Sequence, residues 1–292
     1  MSAMCPIGLD DTKPIKEIPL LLVQLTRFHG GDQGLVIGVL LSHPLTDATG
    51  IVDFMNRWAK LARGEELDPN EIPFLDRTLL KFPHIPSSKL PDRWKPVPQS
   101  QVPGNDDGID KQKKRSDRLD SRALGDLTQV RFSVNFRNRM NPPLPHNYFG
   151  NAVANVGTPA EGDIISNPLG FAAHKIREAS HAVTDEFVKT QLNVSRLGQA
   201  QLDNIRAFFM RQGHRVNIPH ALNHNVLFLT SFTTMPVGKP VHFGLASRSL
   251  ADRAAILPSP DGDGVIVAMF FQTALMQLFK NYFYEDMYVS LL

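Results

Sequence analysis

The chain has 292 residues, with 31 Lys and Arg against 29 Asp and Glu. That net charge of +2 is too small to hold nucleic acid or an anionic membrane surface. Apolar residues make up 42% and charged residues 21%, the balance of a soluble globular protein with one large domain or two medium ones. The single cysteine, Cys5, excludes an internal disulfide and suits a reducing, cytoplasmic compartment. No secretory h-region stands near Met1, and no apolar run approaches the roughly 20 residues of a membrane span.

In chain order, the apolar runs Ile18–Phe28 and Gly34–His43 flank "HGGDQ" and predict two strands joined by a hairpin loop. The period then changes. Ile51, Phe54, Met55, Trp58, Leu61 and Ala62 share one helical face, with Thr46 or Asp47 able to cap its start and Gly64 to end it. His43 therefore falls at a strand end and Asp47 at a helix start, on either side of a tight turn.

Residues 68–127 change character. The stretch to about Gly104 is proline-rich and predicts extended connection rather than core, and "DDGIDKQKKRSDRLDSRALGD" reads as a charged linker. Its cluster Lys111–Arg115 is weighed as an anion site and taken as a solvated charge run. Val130–Phe136 alternates like a half-buried strand, and "NRMNPPLPHNYFGNAV" is a turn-rich loop. Leu169, Ala172, Ala173, Ile176, Ala179, Val183 and Phe187 then share one face of a single predicted helix. A further helix is expected near Gln199–Gln212. Strands are expected at "NVLFLTSF", "PVHFGLASRS" and "GVIVAMFF", with "SPDGDG" a turn before the last, and "TALMQLFKNYFYEDM" as a closing helix. Mixed strands and helices in both halves imply α/β layers in two subdomains joined by the proline-rich crossover.

A general base must present one imidazole nitrogen to the substrate, and a strand-to-turn junction gives a histidine a rigid, cleft-facing position. His43 is the candidate. Four residues across such a turn suit a direct His–Asp bond poorly, so Asp47 is assigned a structural role, turning back to an arginine or a backbone group. The other histidines show no ligand spacing such as H-E-x-x-H, so no metal site is expected.

Three blocks carry a family resemblance: Ile18–Pro83, "VRFSVNFRNRMNPPLPHNYFGNAV", and "GKPVHFGLASRSLADRAAILPSPDGDGVIVAMFFQTALMQLFKNYFYED". Together they resemble the plant BAHD acyltransferases, with the greatest likeness to the hydroxycinnamoyltransferases that acylate spermidine. The resemblance implies a two-domain, chloramphenicol-acetyltransferase-like α/β fold, partial here, with mixed sheets and flanking helices. Residues 1–100 would be a remnant of the N-terminal domain carrying H-x-x-x-D, 101–127 the crossover linker, and 128–292 the C-terminal domain. It also implies a monomer that binds no metal or resident cofactor and uses acyl-CoA as co-substrate with a small-molecule acceptor, a polyamine such as spermidine being favoured. His43 would deprotonate that acceptor. Asp47 would be structural, Thr230 and Ser231 would border the CoA channel, and Arg137, Arg139 and Asn147–Asn151 would form a loop pinning the turn near His43.

The chain also departs from the family. Ala48 stands where H-x-x-x-D is followed by glycine, with Gly50 two places on; if that position needs a positive φ, Ala48 is strained. The D-F-G-W-G signature is missing, and of it Gly238 alone has a counterpart. Family members also place further strands and helices before the histidine, and their loss would leave apolar faces exposed. These departures define the alternative, a catalytically inactive relative with a binding role or none.

Overall fold

The computed structural model describes residues 15–28, 34–86, 129–158, 167–194, 226–231, 253–259 and 264–270, with positions 89, 276 and 279. The chain divides into two compact units that interleave along the sequence. Unit 1 comprises Met1–Asp76, Pro145–Ala152 and Thr230–Leu292, and unit 2 comprises Arg77–Leu144 and Val153–Leu229. The "HGGDQ" loop, the charged linker, the helix near Gln199–Gln212, the "PVHFGLASRS" strand and most of the closing helix lie outside the described residues.

In unit 1, β1 (Leu21–Arg27) and β2 (Leu35–Leu41) pair antiparallel, as their flanking loop implies. Val23 opposes Val39, Leu25 opposes Ile37 and Arg27 opposes Leu35, so these side chains share one face. That face is exposed: Leu25 is 63% exposed, Leu35 56% and Ile37 47%. α1 (Ala48–Ala62) follows, capped by Asp47 and ending before Gly64 at φ +80°, a conformation glycine adopts freely. Lys60, near the end of α1, donates to Asp68 at 3.0 Å and to Glu71 at 2.6 Å, tying the helix to the 3₁₀ turn Pro69–Glu71. These contacts hold the Lys60 ammonium above its ordinary range and the Glu71 carboxyl below its own.

Unit 2 holds β3 (Gln129–Asn135), which pairs antiparallel with β4 (Val153–Gly157) and, through Gln129–Phe132, parallel with β5 (Val226–Ser231). β4 was not evident in the sequence, where "NAVANVG" carries small residues and asparagines of low strand propensity; Ala154 on it is fully buried. The single helix expected over 169–187 is two: α2 (Leu169–His181) and α3 (Asp185–Val194). The break is local chemistry. The Thr184 hydroxyl accepts from the Phe187 N–H at 3.2 Å, and Asp185 and Glu186 fill the first turn of α3, a capped helix start. The Arg139 guanidinium donates to the carbonyls of Ser180 and Val183, bracing the junction between α2 and α3. The carboxamide of Asn193 joins α3 to the segment before the linker, accepting from the Ile85 N–H at 3.2 Å.

In unit 1, β6 (Arg253–Pro258) and β7 (Val265–Phe270) form a hairpin whose loop is closed by Ser259 N–H on the Gly264 carbonyl at 3.1 Å. β6, bounded by a charge and a proline, was also missed in the sequence. Its Ala254, Ala255 and Leu257 are buried.

Asp185 supports a pH prediction. Burial pushes its carboxyl up, but the Lys189 ammonium at 2.6 Å and the Asn141 N–H at 3.1 Å outweigh that and bring it below its ordinary 3.8. A depressed carboxyl stabilises the folded state above its unfolded value, and the contribution fades as pH falls through the folded one. Asp185→Asn should therefore cost about 1 kcal/mol at neutral pH and progressively less below about pH 4, measured as urea midpoints across the range.

Candidate active site

β2 ends at Leu41, and the chain turns at once. The Ser42 N–H donates to the Leu20 carbonyl and the Leu45 N–H to the Ser42 carbonyl, both at 2.9 Å, closing the turn that carries His43. His43 is exposed and Asp47 is 2% exposed. Of the two residues able to cap α1, Asp47 does so: its Oδ1 accepts from the Gly50 N–H at 3.1 Å. Its Oδ2 accepts from the Ala152 N–H at 2.8 Å, a bond across 105 positions of sequence. Both carboxyl oxygens thus hold backbone groups, one in the helix that follows and one in a distant loop.

That loop is Pro145–Ala152, and it is fastened at both ends within unit 1. Phe74 donates its N–H to the Asn147 carbonyl at 3.0 Å and accepts from the Phe149 N–H at 2.9 Å, a short bridge that also pairs it with Tyr148. The Asn147 side chain donates to the Ile72 carbonyl at 2.6 Å. At the other end, the Asn151 side chain donates to the His43 carbonyl at 2.9 Å. The proline-rich stretch that sequence composition marked as connection therefore supplies, at Ile72 and Phe74, the far anchor of this loop.

Two glycines make the packing possible. A Cβ on Gly50 would lie 1.9 Å from the Thr46 hydroxyl oxygen, and Thr46 is fully buried. A Cβ on Gly150 would lie 2.8 Å from the hydroxyl oxygen of Tyr148, itself only 2% exposed. Ala48, by contrast, is the first residue of α1 and has a helical backbone. The strain expected at Ala48 does not arise, and the glycine that matters here is Gly50.

Arg137 and Arg139 make bonds to their own loop and to the end of α2. Both belong to unit 2. The Arg137 N–H donates to the Asn135 side chain at 3.0 Å and its carbonyl accepts from the Leu144 N–H at 2.9 Å, so it shapes its own loop. Thr230 and Ser231 are the last two residues of β5. Gly238 and the Lys111–Arg115 cluster lie outside the described residues. Among the described residues no helix is long and apolar enough to cross a membrane.

Comparison with known proteins decides the family. The family model described as "Transferase family" matches residues 8–129 and 109–286, nearly the whole chain. The chain belongs to this family. The resemblance to the BAHD acyltransferases thus holds at family level. Hydroxycinnamoyl-CoA:piscidic acid hydroxycinnamoyltransferase of Actaea racemosa is 30% identical over 95% of this chain and 73% of its own length. Shikimate O-hydroxycinnamoyltransferase of Nicotiana tabacum is 27% identical over 95% of the chain and 72% of its own. Among solved structures, vinorine synthase matches with a TM-score of 0.54 at 20% identity, covering 90% of this chain. TRI101 of F. graminearum, solved with coenzyme A and T-2 mycotoxin, matches with a TM-score of 0.61 at 15% identity, covering 94% of this chain and 70% of its own. The chain spans 64% of the length of vinorine synthase. These likenesses give the fold as the chloramphenicol-acetyltransferase-like α/β type expected from the sequence.

Gly50 generates a direct test. In an open helix, alanine would be favoured over glycine by about 1 kcal/mol. Here Gly50→Ala should lower stability by roughly 1–3 kcal/mol through overpacking against Thr46, seen as a fall in the urea midpoint. Adding Thr46→Ala should recover part of it. A midpoint unchanged by Gly50→Ala would show that Thr46 moves aside freely.

Proposed function

We propose that this protein is an acyl-CoA-dependent acyltransferase that moves a hydroxycinnamoyl group to an amine or hydroxyl acceptor, with His43 as general base. The observation that carries the reading is an exposed histidine on a turn fastened from both sides, inside a stretch that matches the family model. The His43 imidazole takes the proton from the acceptor as its nitrogen or oxygen attacks the thioester carbonyl. The tetrahedral intermediate collapses, the C–S bond breaks, and the proton passes from the imidazolium to the departing thiolate, giving CoA. Asp47 keeps the turn in shape, and Thr230 and Ser231 border the path of the CoA arm. The enzyme works as a cytoplasmic monomer without a metal.

The acceptor favoured by the sequence blocks is a polyamine such as spermidine. The relatives' names widen the panel, since they specify piscidic acid, shikimate and, at 26% identity in Dianthus caryophyllus, anthranilate. A second reading, an inactive relative with a binding role, is favoured by the missing D-F-G-W-G signature and by the uncovered apolar face of β1 and β2.

The test is CoA release from coumaroyl-CoA with spermidine, shikimate, piscidic acid or anthranilate. Release should depend on the acceptor and fall roughly 10²- to 10⁴-fold in His43→Ala. Folded protein that releases no more CoA than His43→Ala with any of these acceptors would be the inactive relative.

A further inference from the structure

We propose that Asn151 is a positioning residue for the general base, a role that rests on His43 being that base. An exposed residue on a turn has little packing to hold it, so its placement depends on the backbone around it. The consecutive residues Asn151 and Ala152 grip the two ends of the His43–Asp47 turn. Asn151 Nδ2 donates to the His43 carbonyl at 2.9 Å, and the Ala152 N–H donates to Asp47 at 2.8 Å.

The two grips differ in character. The Asp47 bond is buried and joins α1 to the loop, so its loss is a loss of fold. The Asn151 bond is exposed and acts on the backbone of His43 itself, so its loss frees the base while the rest of the turn stays fastened. Asn151 is also well supported. The Phe74 bonds to Asn147 and Phe149 fix the loop before it, and Gly150 lets the chain lie close over the Tyr148 ring. A donor held by its own rigid neighbours can fix the group it bonds, and a displacement near 1 Å at a reacting group is enough to cost about 10²-fold in rate.

Asn151→Asp, which keeps the shape and removes the donor, and Asn151→Ala test this in the full chain. Both should lower kcat roughly ten- to hundred-fold with KM within about twofold and with little change in Tm. Amide exchange at Leu45, inside the turn, should quicken roughly fivefold in both variants. Unchanged kcat in both, or losses of kcat matched by losses of Tm, would overturn the proposal and make Asn151 a purely structural residue. If the wild-type chain itself releases no CoA, the reading of His43 falls. The exchange data then decide alone: faster exchange at Leu45 upholds Asn151 as the fastening of this turn, and unchanged exchange overturns it.

Discussion

The candidate site depends on one side chain that takes no part in the proposed chemistry. The Asp47 carboxyl group is buried, and a buried polar group is tolerated only when its hydrogen-bonding capacity is met. Gly50 and Ala152 meet it from two segments far apart in sequence. The first bond starts α1 and the second fixes the loop 145–152 against the same turn. His43 then stands exposed between a strand that ends and a helix that begins, where neither element could hold it alone.

Much of this was legible in the chain and some was not. The β1–β2 hairpin and α1 announced themselves by period, by a flanking glycine-rich loop and by Asp47 at the change of period. β4 and β6 did not, because "VANVG" and "RAAILP" lack the bulky β-branched run that marks a strand, and their burial comes from pairing across the fold. The break between α2 and α3 was written locally, in Thr184 followed by Asp185 and Glu186, but the apolar face continued through it and masked the cap. The bonds of Asn151 and Ala152 to the turn span more than 100 positions, and no period or local motif carries such a contact. There the family likeness supplied what periodicity could not, by marking the loop as one that pins the turn. It also drew in Arg137 and Arg139, which bond to Asn135, Leu144, Ser180 and Val183.

The glycine after the H-x-x-x-D aspartate shows why a motif letter is weaker than its geometry. Its replacement by Ala48 looked like a defect, yet the position is the first turn of a helix, where alanine is at ease. The steric need falls on Gly50, against buried Thr46. Loss of D-F-G-W-G and the uncovered β1–β2 face are departures of a different kind. Neither touches the bonds by which Gly50, Asn151 and Ala152 hold the His43 turn.

The central claim is that Asp47 joins α1 to the loop 145–152 with two oxygens, and amide exchange in Asp47→Ser tests it most directly. Serine can still cap α1 but has one oxygen, so it cannot also hold Ala152. In the wild type the Ala152 amide should exchange as slowly as the protected amides of α1. In Asp47→Ser it should quicken by an order of magnitude or more while the interior of α1 stays protected. An Ala152 amide that exchanges at the same rate in both proteins would contradict the account, because the loop would then be held by something other than Asp47.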